Sequence, residues 1–121
     1  MSKTILSVDD SKSIRDMIGF TMTPRGYNVI GAEDGVEGLS ALASNDVNLV
    51  VCDLNMPNMN GIEMIRKVRE NSAYHGLPIV MLTTEAQKEK MKEAKDAGAT
   101  GWIVKPFDED KLVSVVSKLI G

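Results

Sequence analysis

Apolar residues in this chain gather in short bounded runs, and the polar stretches between the runs carry a helical period. Ile5-Leu6-Ser7-Val8, Leu49-Val50-Val51-Cys52, Ile79-Val80-Met81-Leu82 and Trp102-Ile103-Val104 have the length and composition of strands. Tyr27-Asn28-Val29-Ile30-Gly31-Ala32 predicts one more, second in order, and Asn28 and Gly31 mark it as an edge. After the first strand, Ile14, Met17, Ile18 and Met22 recur at helical spacing until Pro24, with Gly26 opening the turn. Val36, Leu39, Leu42 and Ala43 predict a second helix, capped by Asp34 with Glu37 three residues on. A third runs from about Gly61 to Asn71 and turns Ile62, Ile65 and Val68 inward. Thr84-Glu85-Ala86-Gln87 has the form of a capping box, predicting a fourth helix from Ala86 to Ala97 that ends near Gly98. Asp108 starts a fifth with the stripe Leu112, Val115, Val116, Leu119 and Ile120, and acids fill its first turn.

Strand and helix thus alternate five times. Parallel strands need crossovers, and right-handed crossovers dominate, so the expected class is α/β: a doubly wound (βα)5 parallel sheet with helices on both faces. The third and fourth strands are apolar on consecutive residues, as strands covered on both sides are. The flavodoxin-like strand order 2-1-3-4-5 sets strands one and three side by side at a topological switch point, where such sheets bind ligands.

At 121 residues the chain predicts a single domain, 1–121, with no output domain. A net charge of −3 offers no basic surplus for nucleic acid. No apolar stretch approaches the roughly 18 residues of a membrane span, and Met1-Ser2-Lys3-Thr4 leads directly into a strand, so neither membrane insertion nor a signal peptide is expected. The single cysteine, Cys52, excludes an internal disulfide and fits a reducing, cytoplasmic setting. With no resolving partner, it reads as a small buried apolar residue.

The chemistry lies where the runs stop. They end at Asp9-Asp10, at Asp53, at Thr83-Thr84 and at Lys105-Pro106. On a parallel sheet these groups converge beyond the carboxyl ends of the strands. Three carboxylates, a hydroxyl and an ammonium suit a hard divalent cation and a phosphoryl group. An Asp pair at a strand end can also serve as a helix cap, and Ser11 is available for that task too.

Asp9-Asp10, Asp53-Leu54-Asn55-Met56-Pro57 followed by Gly61, Thr83, and Lys105-Pro106-Phe107 resemble the signature of response-regulator receiver domains, in order and spacing, across essentially the whole chain. The likeness is greatest to the single-domain chemotaxis members. The resemblance implies Mg2+ as cofactor, bound by Asp10 and Asp53 directly, by Asp9 partly through water, and by the backbone carbonyl of Asn55. It implies Asp53 as phosphoacceptor, Lys105 as the opposing positive charge after a cis peptide bond to Pro106, and Thr83 as donor to a phosphoryl oxygen. Trp102 would be the readout aromatic, switching with Thr83, where many members carry Tyr or Phe; a tryptophan that does not switch is the other reading. Asn55 and Glu85 would tune hydrolysis and give a phosphate lifetime of seconds to minutes.

Output would come from the fourth helix onward. Met91 is the only large apolar residue between Ala86 and Ala97, which also carries Lys88, Lys90, Lys92 and Lys95. A helix with so little to bury is weakly anchored. Its lysines, with Met91 and Trp102, form either a partner face or a solvated surface. The implied function is a phosphorylation-switched relay, not an enzyme in the ordinary sense. A chemotaxis-type histidine kinase would be the donor and the flagellar motor switch the target. A phosphorelay shuttle serving a phosphotransfer protein and a phosphate sink are variants. A monomer is expected, with dimerisation conceivable on phosphorylation. A flavodoxin-like redox protein would need a Ser/Thr/Gly-rich loop where Asp9-Asp10-Ser11 stands. A haloacid-dehalogenase-type phosphatase would need a second acid where Asn55 stands.

Overall fold

The computed structural model describes residues 2–121, apart from the side chain of Glu85. Strands β1 (Thr4–Val8), β2 (Asn28–Ala32), β3 (Leu49–Asp53), β4 (Ile79–Thr84) and β5 (Gly101–Lys105) form one parallel sheet in the order β2-β1-β3-β4-β5. Helices α1 (Lys12–Met22), α2 (Gly35–Ser44), α3 (Gly61–Arg69), α4 (Met91–Ala97) and α5 (Glu109–Ile120) connect and cover it.

Alternation along each strand divides the core in two. Leu6, Val8, Val50, Cys52, Ile79 and Met81 pack beneath α2, α3 and α4, where Leu42, Ile62, Ile65, Val68 and Ala94 are buried. Ile5, Leu49, Val51, Val80, Leu82 and Ile103 face α1 and α5, meeting Ile18, Met22, Leu112 and Val116. Because β3 is covered from both sides, all five of its residues are buried, Asp53 included. That is why its sequence is apolar without alternation. Edge strand β2 is buried only at Ala32.

Caps set the helix starts. The Ser11 hydroxyl accepts from Ile14 N–H at 3.4 Å, so Ser11 caps α1 and the Asp pair is released from that task. Asn60 and Glu63 form a reciprocal box at α3, and Asp108 accepts from Lys111 N–H. Asp34 caps α2, but Glu37 reaches back to Glu33 N–H instead of to the cap residue's own amide.

The fourth helix departs from expectation. Gln87 Oε1 does accept from Thr84 N–H at 2.8 Å, yet Glu85–Lys90 winds as a 3-10 segment and α4 begins only at Met91. Residues 86–90 lie at the surface, with Gln87 alone half-buried, so little apolar burial favours one helical form over the other. Its far end is better held: Arg69 donates from Nε and Nη2 to Gly98 O at 3.1 and 2.9 Å, tying the α4 C-terminus to α3.

Gly61 opens α3 against the end of β3. A Cβ there would lie 2.3 Å from the Asp53 carbonyl oxygen and 2.8 Å from Met81 Cε. Gly61→Ala should therefore cost about 3 kcal/mol in urea unfolding, since neither backbone nor core can yield freely. Gly76, with open space around it, is the control and should change little.

Candidate metal and phosphoryl site

The ends of β1, β3 and β5 bring four of the anticipated side chains together. Carboxylate oxygens of Asp9, Asp10 and Asp53 lie within 4.8 Å of one another, the one such grouping of His, Cys, Asp or Glu among the described residues. Lys105 Nζ stands 3.0 Å from Asp53 Oδ1, to which it donates, and 3.5 Å from Asp9 Oδ2. The Lys105-Pro106 peptide bond is cis. Asp9 and Asp53 are buried, whereas Asp10 is exposed at the rim.

Local structure fixes each acid differently. Asp9 Oδ1 accepts from Ser11 N–H at 2.9 Å, its backbone carbonyl accepts from Arg15 Nη1, and its amide donates to Ala32 O. Among the described residues its Oδ2 has no hydrogen-bond donor, and Lys105 is its counter-charge. Asp53 Oδ1 also accepts from Leu54 N–H at 3.0 Å.

Burial holds both carboxyls above the usual carboxylate range. For Asp53 the charge of Asp9 adds to the effect, while Lys105 and the Leu54 amide oppose it. For Asp9 the Ser11 amide and Lys105 oppose it. Burial alone would depress Lys105, but its hydrogen bond to Asp53 and the two negative charges outweigh that and raise it. The crevice thus holds more carboxylate than ammonium charge in a partly desolvated setting. An oxygen-only donor set, with a buried carboxylate oxygen that accepts no hydrogen bond among the described residues, suits Mg2+, a hard cation that takes one or two carboxylates and completes its shell with other oxygens. The residues fit that group.

Thr83 lies at the end of β4, one position past the Asp53–Leu82 register pair. It is buried, and among the described residues its Oγ1 has no hydrogen-bond partner. Asn55, two residues after Asp53, is exposed on the loop to α3. Trp102 is opposite Met81 in β5, and at 42% exposure it stands out from the sheet instead of turning inward. Lys88, Lys90, Lys92 and Lys95 are exposed and Met91 is half-buried. The side chain of Glu85 lies outside the described residues. Cys52 is fully buried, 3.8 Å from Met64 Sδ, and burial pushes its thiol far above the usual range, with Asp53 and Asp9 adding to the shift. That environment makes it inert.

Two groups near the site have no warning in the sequence. Arg15 reaches from α1 to the Asp9 carbonyl, and its Nη2 lies 3.9 Å from Glu33 Oε1. Asn58 adopts a left-handed backbone (φ 66°) and donates to Asp34 Oδ2 at 2.6 Å, across 24 positions. Only the asparagine itself, a residue tolerant of that conformation, hints at the turn.

The model of the response regulator receiver domain matches residues 5–117. A chemotaxis protein CheY homolog of Campylobacter jejuni is 41% identical over 119 residues, 97% of this chain and 92% of that protein. The solved structure of the chemotaxis response regulator CheY4 of Vibrio cholerae superposes with a TM-score of 0.93 at 42% identity, covering 99% of this chain and 100% of that one. A putative response regulator from Chloroflexus aurantiacus gives 0.93 at 29% identity over 98% of both chains. With this match, this sheet order and this cluster of acids beside Lys105, the chain belongs to the response regulator receiver domain family, as a CheY-like phosphoacceptor of two-component signalling.

Proposed function

We propose that this chain is a chemotaxis-type relay, a single receiver domain over residues 1–121 that takes a phosphoryl group on Asp53 from a histidine kinase in the presence of Mg2+. The observation that carries the reading is the shared approach of Lys105 Nζ to Asp53 and Asp9, with Asp10 closing the cluster. An Asp53 carboxylate oxygen attacks the phosphorus of a phosphohistidine. The O–P bond forms as the P–N bond breaks, and the imidazole leaves with its electron pair. Nucleophile and electrophile need little more than in-line positioning and charge neutralisation. Mg2+, held by Asp10, Asp53 and the Asn55 carbonyl, with Asp9 acting partly through water, would neutralise phosphoryl oxygen charge. Lys105 supplies positive charge from the protein side, and the unpartnered Thr83 hydroxyl is free to donate to a phosphoryl oxygen. Water later hydrolyses the acyl phosphate within seconds to minutes, a rate tuned by Asn55 and Glu85.

The output surface is Lys88, Lys90, Met91, Lys92, Lys95 and Trp102. Phosphorylation shifts a two-state balance only through its different interactions with the two states. Movement of Thr83 toward the phosphoryl group leaves room behind it, and Trp102 turns inward from its exposed resting position. The weakly anchored 3-10 segment before α4 is the part free to follow. The lysines then meet an acidic segment of the target, with the flagellar motor switch as first choice and a phosphotransfer protein as the variant. The test is transfer from a radiolabelled chemotaxis-type histidine kinase. Label should leave the kinase and enter this chain with Mg2+ but not with EDTA; label that stays on the kinase contradicts the proposal. Capture from cell lysate by the beryllofluoride-treated and untreated protein would separate motor output from phosphorelay.

A further inference from the structure

The loop from Leu54 to Asn60 connects β3 to α3 and carries the Asn55 carbonyl; Leu54, Met56 and Met59 anchor its inner side to the core, and its outer side is polar. Asn55, Pro57 and Asn58 are exposed, and Leu54 alone is buried. That outer side is tied down from the start of α2.

Asp34 is buried at that helix terminus and divides its carboxylate between two tasks. Oδ1 accepts from Glu37 N–H at 2.9 Å, the ordinary work of an N-cap. Oδ2 accepts from the Asn58 side-chain amide at 2.6 Å. The next residue adds a backbone link: Gly35 N–H donates to Met59 O at 3.2 Å. The fit is close, since a Cβ on Gly35 would stand 2.9 Å from that same oxygen. Asn58 itself is left-handed, a conformation that side chains other than Asn, Asp and Gly rarely hold. A serine would suffice as a cap, because one acceptor oxygen serves Glu37. A carboxylate supplies the second oxygen, and a charged acceptor makes the stronger bond.

We infer that Asp34 is a positioning residue for the metal loop: through Asn58 it latches the Leu54–Asn60 segment onto α2 and so holds the Asn55 carbonyl toward the acid cluster. The glutamate amide and the Asn58 amide also keep Asp34 below the usual carboxylate range, consistent with a carboxylate that is ionised while it bridges the two elements. Outer-shell partners of this kind orient a ligand they never touch the metal to hold. The inference rests on the Mg2+ reading given above, but the latch has a readout of its own.

Asp34→Ser keeps an N-cap and removes the latch. Asn58→Gly keeps the left-handed backbone and removes the amide. In metal-free protein, hydrogen exchange at the Met59 and Gly61 amides, which bond to Pro57 O and Leu54 O, should quicken by about tenfold in either variant. Calorimetric titration with MgCl2 should show binding weakened by about tenfold. The phosphorylation rate by acetyl phosphate at saturating Mg2+ should stay within about twofold of wild type, since the loss is one of binding. The double variant should be no weaker than either single one, whereas a general loss of α2 stability would add. Unchanged exchange at Met59 and Gly61 in Asp34→Ser overturns the latch, and unchanged Mg2+ affinity with faster exchange overturns the positioning role. Absence of Mg2+ binding in the wild type would instead strike the metal reading, and the exchange result would still decide the latch.

Discussion

Asp53→Asn should abolish phosphorylation and, in the same protein, raise the stability of the resting fold. The loss of function is complete because an amide oxygen cannot serve as the nucleophile that the O–P bond requires. The gain follows from what Asp53 endures in the crevice: burial and the adjacent Asp9 both disfavour its charge. Lys105 keeps Asp9 as a partner, and an asparagine oxygen can still accept from it. We expect a gain of about 1 kcal/mol at neutral pH without Mg2+, read from urea midpoints. The sign follows from linkage. A carboxyl whose folded pKa lies above its unfolded value costs stability at neutral pH, and that cost vanishes as pH falls below the unfolded value. The advantage of the variant should therefore shrink in acid. Mg2+ should stabilise the wild type by mass action and the variant much less. A variant less stable than wild type at neutral pH would mean that Asp53 is held by its partners more than it is opposed by its neighbours.

Lys105→Met should do the reverse to stability. It retains the length of the stem and removes the one ammonium that faces both buried carboxylates at 3.0 and 3.5 Å. Removing one side of a buried ion pair leaves charge uncompensated, and with Lys105 itself partly solvated we expect a loss of about 2 kcal/mol at neutral pH. The wild-type contribution is complete at that pH, because a lysine whose folded pKa is raised loses it only in strongly alkaline solution. Two rescues should follow in urea unfolding: saturating Mg2+, which supplies the missing positive charge, and a fall in pH, which favours the neutral forms of Asp9 and Asp53. A Lys105→Met protein as stable as wild type at neutral pH without Mg2+ would contradict the electrostatic description of the crevice.

The sheet was legible because burial leaves a plain trace in β3 and β4. Consecutive apolar residues mean cover on both faces, and the chemistry then has nowhere to go but the strand ends. Asp9, Asp10, Asp53 and Lys105 meet for that reason, although up to 96 positions separate them in the chain. The start of α4 was not legible. A capping box specifies where a helix begins, not whether it continues as α or 3-10, and residues 86–90 bury too little to decide it. Glu37 shows the same limit, satisfying Glu33 in place of the cap amide. The Asp34–Asn58 bond was invisible because Asp34 already had a sufficient local explanation as a cap. The exposure of Trp102 was not legible either, because it comes from an edge strand that the pattern of residues does not orient.

Borohydride trapping of the phosphorylated protein tests the central claim most directly, because an acyl phosphate is reduced at the residue that carries it. After treatment with acetyl phosphate and Mg2+, peptide mapping should find homoserine at position 53 and nowhere else, and none when EDTA replaces the metal. Reduction at Asp9 or Asp10, or an equal yield of product without Mg2+, would contradict the account.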